Sequence, residues 1–142
     1  MRVLVDADSC SVKEIILQIA IKYKLDLYMY FDNTHIYEDG YSKVIIVDKS
    51  KDSVDLNIIN NLKKDDIVVT NDYGLASIAI SKNSKAINNN GFIYNDNNID
   101  ELLFRRFLAN KSRKIGIRGK SIKKRTKQMD DNFKKNFLTL IN

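Results

Sequence analysis

The stretch VLVDADSC, residues 3–10, sets an apolar run directly against two aspartates, Asp6 and Asp8, two positions apart. Together with Arg2 the run has the length and β-branched content of a strand, but it lacks the alternation of a strand that faces water on one side. A strand apolar on both faces is covered on both, as in a parallel sheet flanked by helices. The charge at its end then lies at the carboxyl edge of the sheet, where open α/β folds bind their ligands.

The rest of the chain continues the alternation. Val12, Ile15, Ile16, Ile19, Ala20 and Tyr23 have helical spacing. Strands are predicted at 25–31, 43–47 and 67–70, and weaker ones at 85–87 and 92–94 around the Asn-Asn-Asn-Gly turn at 88–91. Helices are predicted at 54–62, with Ser53 or Asp52 available as cap, at 75–80 after the turn 71–74, and at 99–108 and 132–141. Residues 110–122 read as a loop. Strands alternating with helices predict a three-layer α/β/α fold with a mainly parallel sheet, built as one domain over residues 1–142.

The composition, 44% hydrophobic and 30% charged over 142 residues, is that of an ordinary globular chain. A single cysteine, Cys10, allows no internal disulfide, and no signal-peptide pattern or apolar run near the roughly 20 residues of a membrane span is present. A reducing cytoplasm and no membrane partner are the expectation. With one cysteine and one histidine, His35, the usual zinc sites are excluded, so a bound metal would be held by oxygen. The net charge of +6 attracts polyanions.

Asp6 and Asp8 are placed at the carboxyl end of the first strand and Asp72 just beyond the strand at 67–70. If those strands are neighbours, three carboxylates crowd one cleft and need a cation or a proton to compensate them. Hard divalent ions, Mg²⁺ or Mn²⁺, suit such a site, and the chemistry that follows is phosphoryl transfer. Each aspartate taken alone reads equally well as a turn former or helix cap. Asp52 and Asp55 form a second candidate pair on one helical face. Asp55, Asp96 and Asp100 all compete as the fourth acid.

The segment KSRKIGIRGKSIKKRTK, residues 111–127, contains no acid and carries the electrostatic footprint of phosphate contact. Arg105, Arg106, Arg113, Arg118 and Lys120 are the candidate phosphate-binding residues. No aromatic residue interleaves with the segment, so nucleic-acid binding is expected to be salt-sensitive and weakly specific. Cys10 reads as a buried structural thiol, and His35 has no assigned role.

The motifs VDADSC, KDSVDLNII, DDIVVTNDYGLA and NNNGFIYNDNNI, with an Arg-containing carboxy-terminal helix, together resemble the bacterial YaiI/YqxD family over almost the whole chain. That family is regarded as similar to the PIN-like nucleases, whose parallel sheet gathers acids around Mg²⁺ or Mn²⁺ to hydrolyse phosphodiesters. The resemblance implies a metal-dependent nuclease acting on nucleic acid, RNA favoured. By motif, Asp6 and Asp8 match the opening acids, Asp52 and Asp55 the helix-entry acids, and Asp72 the acid of the T-x-D turn, with Thr70 or Asn71 as supports. The family usually has proline where this chain has Ser11, and Gly-Gly-Pro near GIRGKS. Two other readings stay open: a nucleic-acid-binding or regulatory protein without catalysis, and a phosphatase of haloacid-dehalogenase type, whose D-x-D start VLVDAD also resembles.

Overall fold

The structure, a computed structural model, describes residues 1–32, 36–48, 50–51, 53–114 and 124–142, with the side chains of Arg113 and Lys114 left out. Among these residues six strands form one sheet in the order β3-β2-β1-β4-β5-β6. The strands are β1 (Arg2–Asp6), β2 (Asp26–Asp32), β3 (Lys43–Val47), β4 (Ile67–Val69), β5 (Lys85–Ile87) and β6 (Ile93–Tyr94). The first five are mutually parallel, and β6 closes the edge antiparallel to β5. The helices are α1 (Lys13–Tyr23), α2 (Val54–Asn61), α3 (Tyr73–Ser81), α4 (Ile99–Lys114) and α5 (Lys127–Ile141).

Both faces of the sheet are covered, which is why the strands are apolar throughout. Along β1 successive side chains turn to opposite faces. Val3 and Val5 join a core with Ile16 and Ile19 of α1 and Phe133 and Phe137 of α5. Leu4 joins a second core with Ile58 of α2, Leu75 and Ala79 of α3, and Ile99 of α4. The expected three-layer α/β/α arrangement is therefore present.

Chain direction sets the position of the cleft. From β1 the chain runs outward to β2 and then β3. The connection through α2 crosses back over the sheet and enters β4 on the other side of β1. The strand order thus reverses between β1 and β4, and the crevice at such a switch point opens at their carboxyl ends. Val3, Leu4 and Val5 pair with Ile67, Val68 and Val69, which sets Asp6 level with Thr70.

The largest departures from expectation are at two helix ends. Helix α4 runs to Lys114 instead of ending near 108, because residues 109–114 hold neither glycine nor proline. Helix α5 starts at Lys127 instead of 132, since the Thr126 side chain accepts the Met129 N–H and caps the polar first turn. The remainder of the predicted loop, residues 115–122, lies outside the described residues, as do Asp52 and His35. Among the described residues no helix is long and apolar enough to cross a membrane.

The β5–β6 turn is fixed by α5. Gly91 has a φ of +88°, and a Cβ there would stand 2.6 Å from the Asn132 carbonyl oxygen. The Asn136 side-chain amide also donates to the Gly91 carbonyl at 2.7 Å. Gly91→Ala combines a left-handed strain with a clash against helix backbone, so a loss of about 2–4 kcal/mol is expected. Urea denaturation reads this as a lower midpoint, and an unchanged midpoint would contradict the packing described.

Candidate active site

The acids gather as the switch point requires. Asp6 ends β1, and Thr70 follows β4. The Thr70 hydroxyl donates to Asp6 Oδ2 at 3.0 Å while its oxygen accepts the Asp72 N–H at 3.0 Å. One buried hydroxyl therefore links the ends of two strands. Asp6 is partly buried, and that burial raises its pKa above its ordinary value. The Thr70 hydrogen bond opposes the rise, while the nearby Asp72 and Asp8 charges add to it.

Asp72 does two things at once. It is the N-cap of α3, its Oδ1 accepting the Gly74 N–H at 2.8 Å and the Leu75 N–H at 3.4 Å. The same oxygen accepts from Arg106 Nη1 at 3.0 Å. Burial alone would raise its pKa, but hydrogen bonds from Asp55 and the two amides, with the Arg106 charge, hold it below the ordinary value. Gly74 leaves room for this pairing, because a Cβ there would lie 3.2 Å from Asp72 Oδ1 and 3.4 Å from Arg106 Nη1.

Asp55 reaches the cleft from the first turn of α2, whose Ser53 cap accepts the Leu56 N–H. Burial, then its hydrogen bond to Asp72 and the charges of Asp72 and Asp6, push its pKa up to about 6. Below about pH 6 Asp55 and Asp72 thus behave as a pair that shares a proton. Of the three competitors for the fourth position, Asp55 stands in the cleft. Asp100 is exposed on the first turn of α4, and Asp96 lines a hollow with Lys64, Ser84 and Lys85 at the amino ends of β4 and β5.

Other expected residues are placed differently. Beyond Asp6 the chain turns, and Asp8 Oδ2 accepts the Asp32 N–H at the end of β2, at 3.0 Å. Asp8 therefore braces the neighbouring strand while its charge is still felt at Asp6. Asn71 supports the loops, its side-chain oxygen accepting the Asn89 N–H at 3.0 Å. Arg105 pairs on the surface with Glu101, one helical turn back, at 2.6 Å. Arg118 and Lys120 lie outside the described residues, as does the Arg113 side chain. Cys10 is buried, and that burial raises its thiol pKa, in keeping with a structural role.

Two residues around the cleft were not anticipated. Asn89 is buried and donates from its side-chain amide to the Ser9 carbonyl at 2.9 Å, which ties the β5–β6 turn to the loop after β1. Arg125 binds the same turn through the Asn89 carbonyl and Asn90 Oδ1, and also pairs with Asp130. The sequence signal was the asparagine tract itself, which shows a turn but not its partners.

Among the described residues no group of three or more His, Cys, Asp and Glu side chains forms a ready cage for a metal ion. The donors present are nevertheless hard oxygens, and Mg²⁺ is commonly held by one or two carboxylates completed by water and substrate phosphate. Asp6, and Asp72 whose backbone amide shares its Thr70 partner, fit that kind of site.

The raised pKa of Asp55 has a thermodynamic consequence. The folded protein holds the Asp55 proton more tightly than the unfolded chain, so the associated stability is complete below about pH 4 and is lost as pH rises through about 6. Asparagine mimics the protonated acid. Asp55→Asn is therefore expected to melt about 1–3 °C above wild type near pH 7.5, a small rise because the site is partly open to solvent screening. The two proteins should converge near pH 4.5. Equal melting at both pH values would contradict the shared proton.

No solved structure matches the chain. The curated relatives include a "UPF0178 protein" of Ruminiclostridium cellulolyticum, 50% identical over 99% of this chain and 92% of that protein. Those of Alkaliphilus oremlandii and Clostridium novyi are 44% and 42% identical, over 95% and 100% of this chain and 87% and 95% of theirs. A family model described as "Uncharacterized BCR, YaiI/YqxD family" matches residues 4–142. With the match running from the first strand to the last residue, the chain belongs to the YaiI/YqxD family.

Proposed function

We propose that the cleft hydrolyses phosphodiester bonds of nucleic acid, RNA favoured, with Mg²⁺ or Mn²⁺ bound at Asp6 and Asp72. The observation that supports this reading is the meeting of Asp6, Asp72 and Asp55, from three different elements, at the switch point of a parallel sheet. When bound, the divalent ion would supply positive charge to polarise the phosphodiester and to ease ionisation of an attacking water. Asp6, partly buried and held by Thr70, offers an oriented carboxylate. Arg106 lies at the rim, half exposed and paired to Asp72, where it can turn to a substrate phosphate once a cation takes its place. Asp55 titrates near pH 6, close enough to neutral for it to take up or give a proton at the reacting group.

A second reading is supported by a specific observation. The Asp55 proton and the Arg106 charge already balance Asp72, and no three-acid cage is formed among the described residues. A nucleic-acid-binding protein without turnover would keep this arrangement. The phosphatase alternative draws no support from Asp8, whose Oδ2 accepts the Asp32 N–H.

Cleavage of labelled RNA and DNA oligonucleotides with Mn²⁺ or Mg²⁺ decides between them. Wild type is expected to cut, and Asp72→Asn and Asp6→Asn to cut on the order of 100-fold more slowly while circular dichroism shows them folded. Binding without cleavage under either metal would favour the second reading. Undiminished cleavage by both variants would remove these acids from the chemistry.

A further inference from the structure

Helix α4 is apolar on two sides. Ile99, Leu102 and Leu103 recur at spacings of three and four and pack into the core shared with α3, and Arg106 continues that line to Asp72. On the opposite side Phe104, Phe107 and Leu108 lie 59%, 52% and 47% exposed. They share one stripe at the same spacings, with Asp100 one helical turn before Phe104 and Lys111 one turn after Phe107. The Lys111 ammonium already sits over the Phe107 ring, 4.8 Å from its centroid. Isolated exposed apolar residues need no explanation, but three large ones in one helical stripe mark a contact surface.

The order of residues along the stripe specifies its occupant: acid at the start, apolar rings in the middle, base at the end. Such a stripe is complementary to itself when two copies run antiparallel, because a two-fold axis exchanges the ends. With the axis near position 106, Phe104 meets the partner's Phe107 and the partner's Leu108, and Asp100 meets the partner's Lys111. A parallel pairing would set acid against acid and base against base. We propose that the outer stripe of α4 is an isologous interface through which two copies of this chain associate by antiparallel helix packing. The stripe is confined to one helix, so the contact falls at the small end of specific interfaces, and association is expected in the micromolar range.

Each subunit's cleft stays open in such a dimer, because Arg106 and Asp72 lie on the other side of α4 from the stripe. The contact therefore does not depend on what the cleft does.

Sedimentation velocity from about 1 to 100 μM tests it. Wild type should pass from monomer to dimer across that range. Phe104→Ala/Phe107→Ala should stay monomeric and keep the wild-type circular dichroism spectrum, since both rings are exposed. Asp100→Lys should weaken association roughly tenfold, and the double exchange Asp100→Lys/Lys111→Asp should restore it, which a generic sticky surface would not do. A wild type that is monomeric throughout overturns the proposal. So does a dimer unaffected by the phenylalanine changes, or one in which the double exchange fails to rescue. Loss of oligonucleotide binding in the phenylalanine variant of a monomeric wild type would also overturn it, and would assign the stripe to nucleic acid.

Discussion

The parallel pairing of β1 with β4 is the constraint on which the site depends. Three residue pairs, from Val3 with Ile67 to Val5 with Val69, decide that Asp6 and Thr70 end side by side. Had the return crossing through α2 entered the sheet elsewhere, Asp6 would face only β2 and Asp72 would cap α3 without a neighbour. The register is fixed by burial on both faces. A slip by one residue would send Val3 and Val5 to the core that now holds Leu4, and would break both packings.

The cleft that results concentrates negative charge, and the protein manages it with three separate devices. Thr70 gives Asp6 a hydrogen bond and so limits the cost of its burial. Asp55 takes up a proton at a pH where an ordinary aspartate would be ionised. Arg106 and the amino end of α3 stabilise Asp72 as a carboxylate. Buried carboxylates without such compensation shift until they are neutral, at a cost to stability. The site thus holds one well-stabilised carboxylate, one raised one and one shared proton, a set that a divalent ion and a phosphate could enter by displacing Arg106 and the proton.

Much of this was legible in residue order, and the rest was hidden for physical reasons. Apolar runs ending in acid marked both β1 and β4, so Asp6 and Asp72 could be placed at strand ends. Their proximity could not be read, because strand order is a non-local property. The rule that side chains two apart point the same way holds only in extended chain. The backbone turns after Ala7, its amide still bonded to Tyr30, and Asp8 is carried to β2. Arg106 reads from the sequence as a cation for phosphate. Its spacing from Ile99, Leu102 and Leu103 shows in hindsight that it continues the inner face of α4. Asn89 is invisible for another reason: three asparagines in a row do not say which one is buried.

A cation site at Asp6 and Asp72 is tested most directly by calorimetric titration of Mn²⁺. The titration should be run with a short RNA present, so that phosphate can complete the coordination. Saturable one-site binding to wild type, absent from a folded Asp6→Asn/Asp72→Asn double variant, is the expected result. Equal binding by both proteins would place the ion elsewhere and contradict the site described.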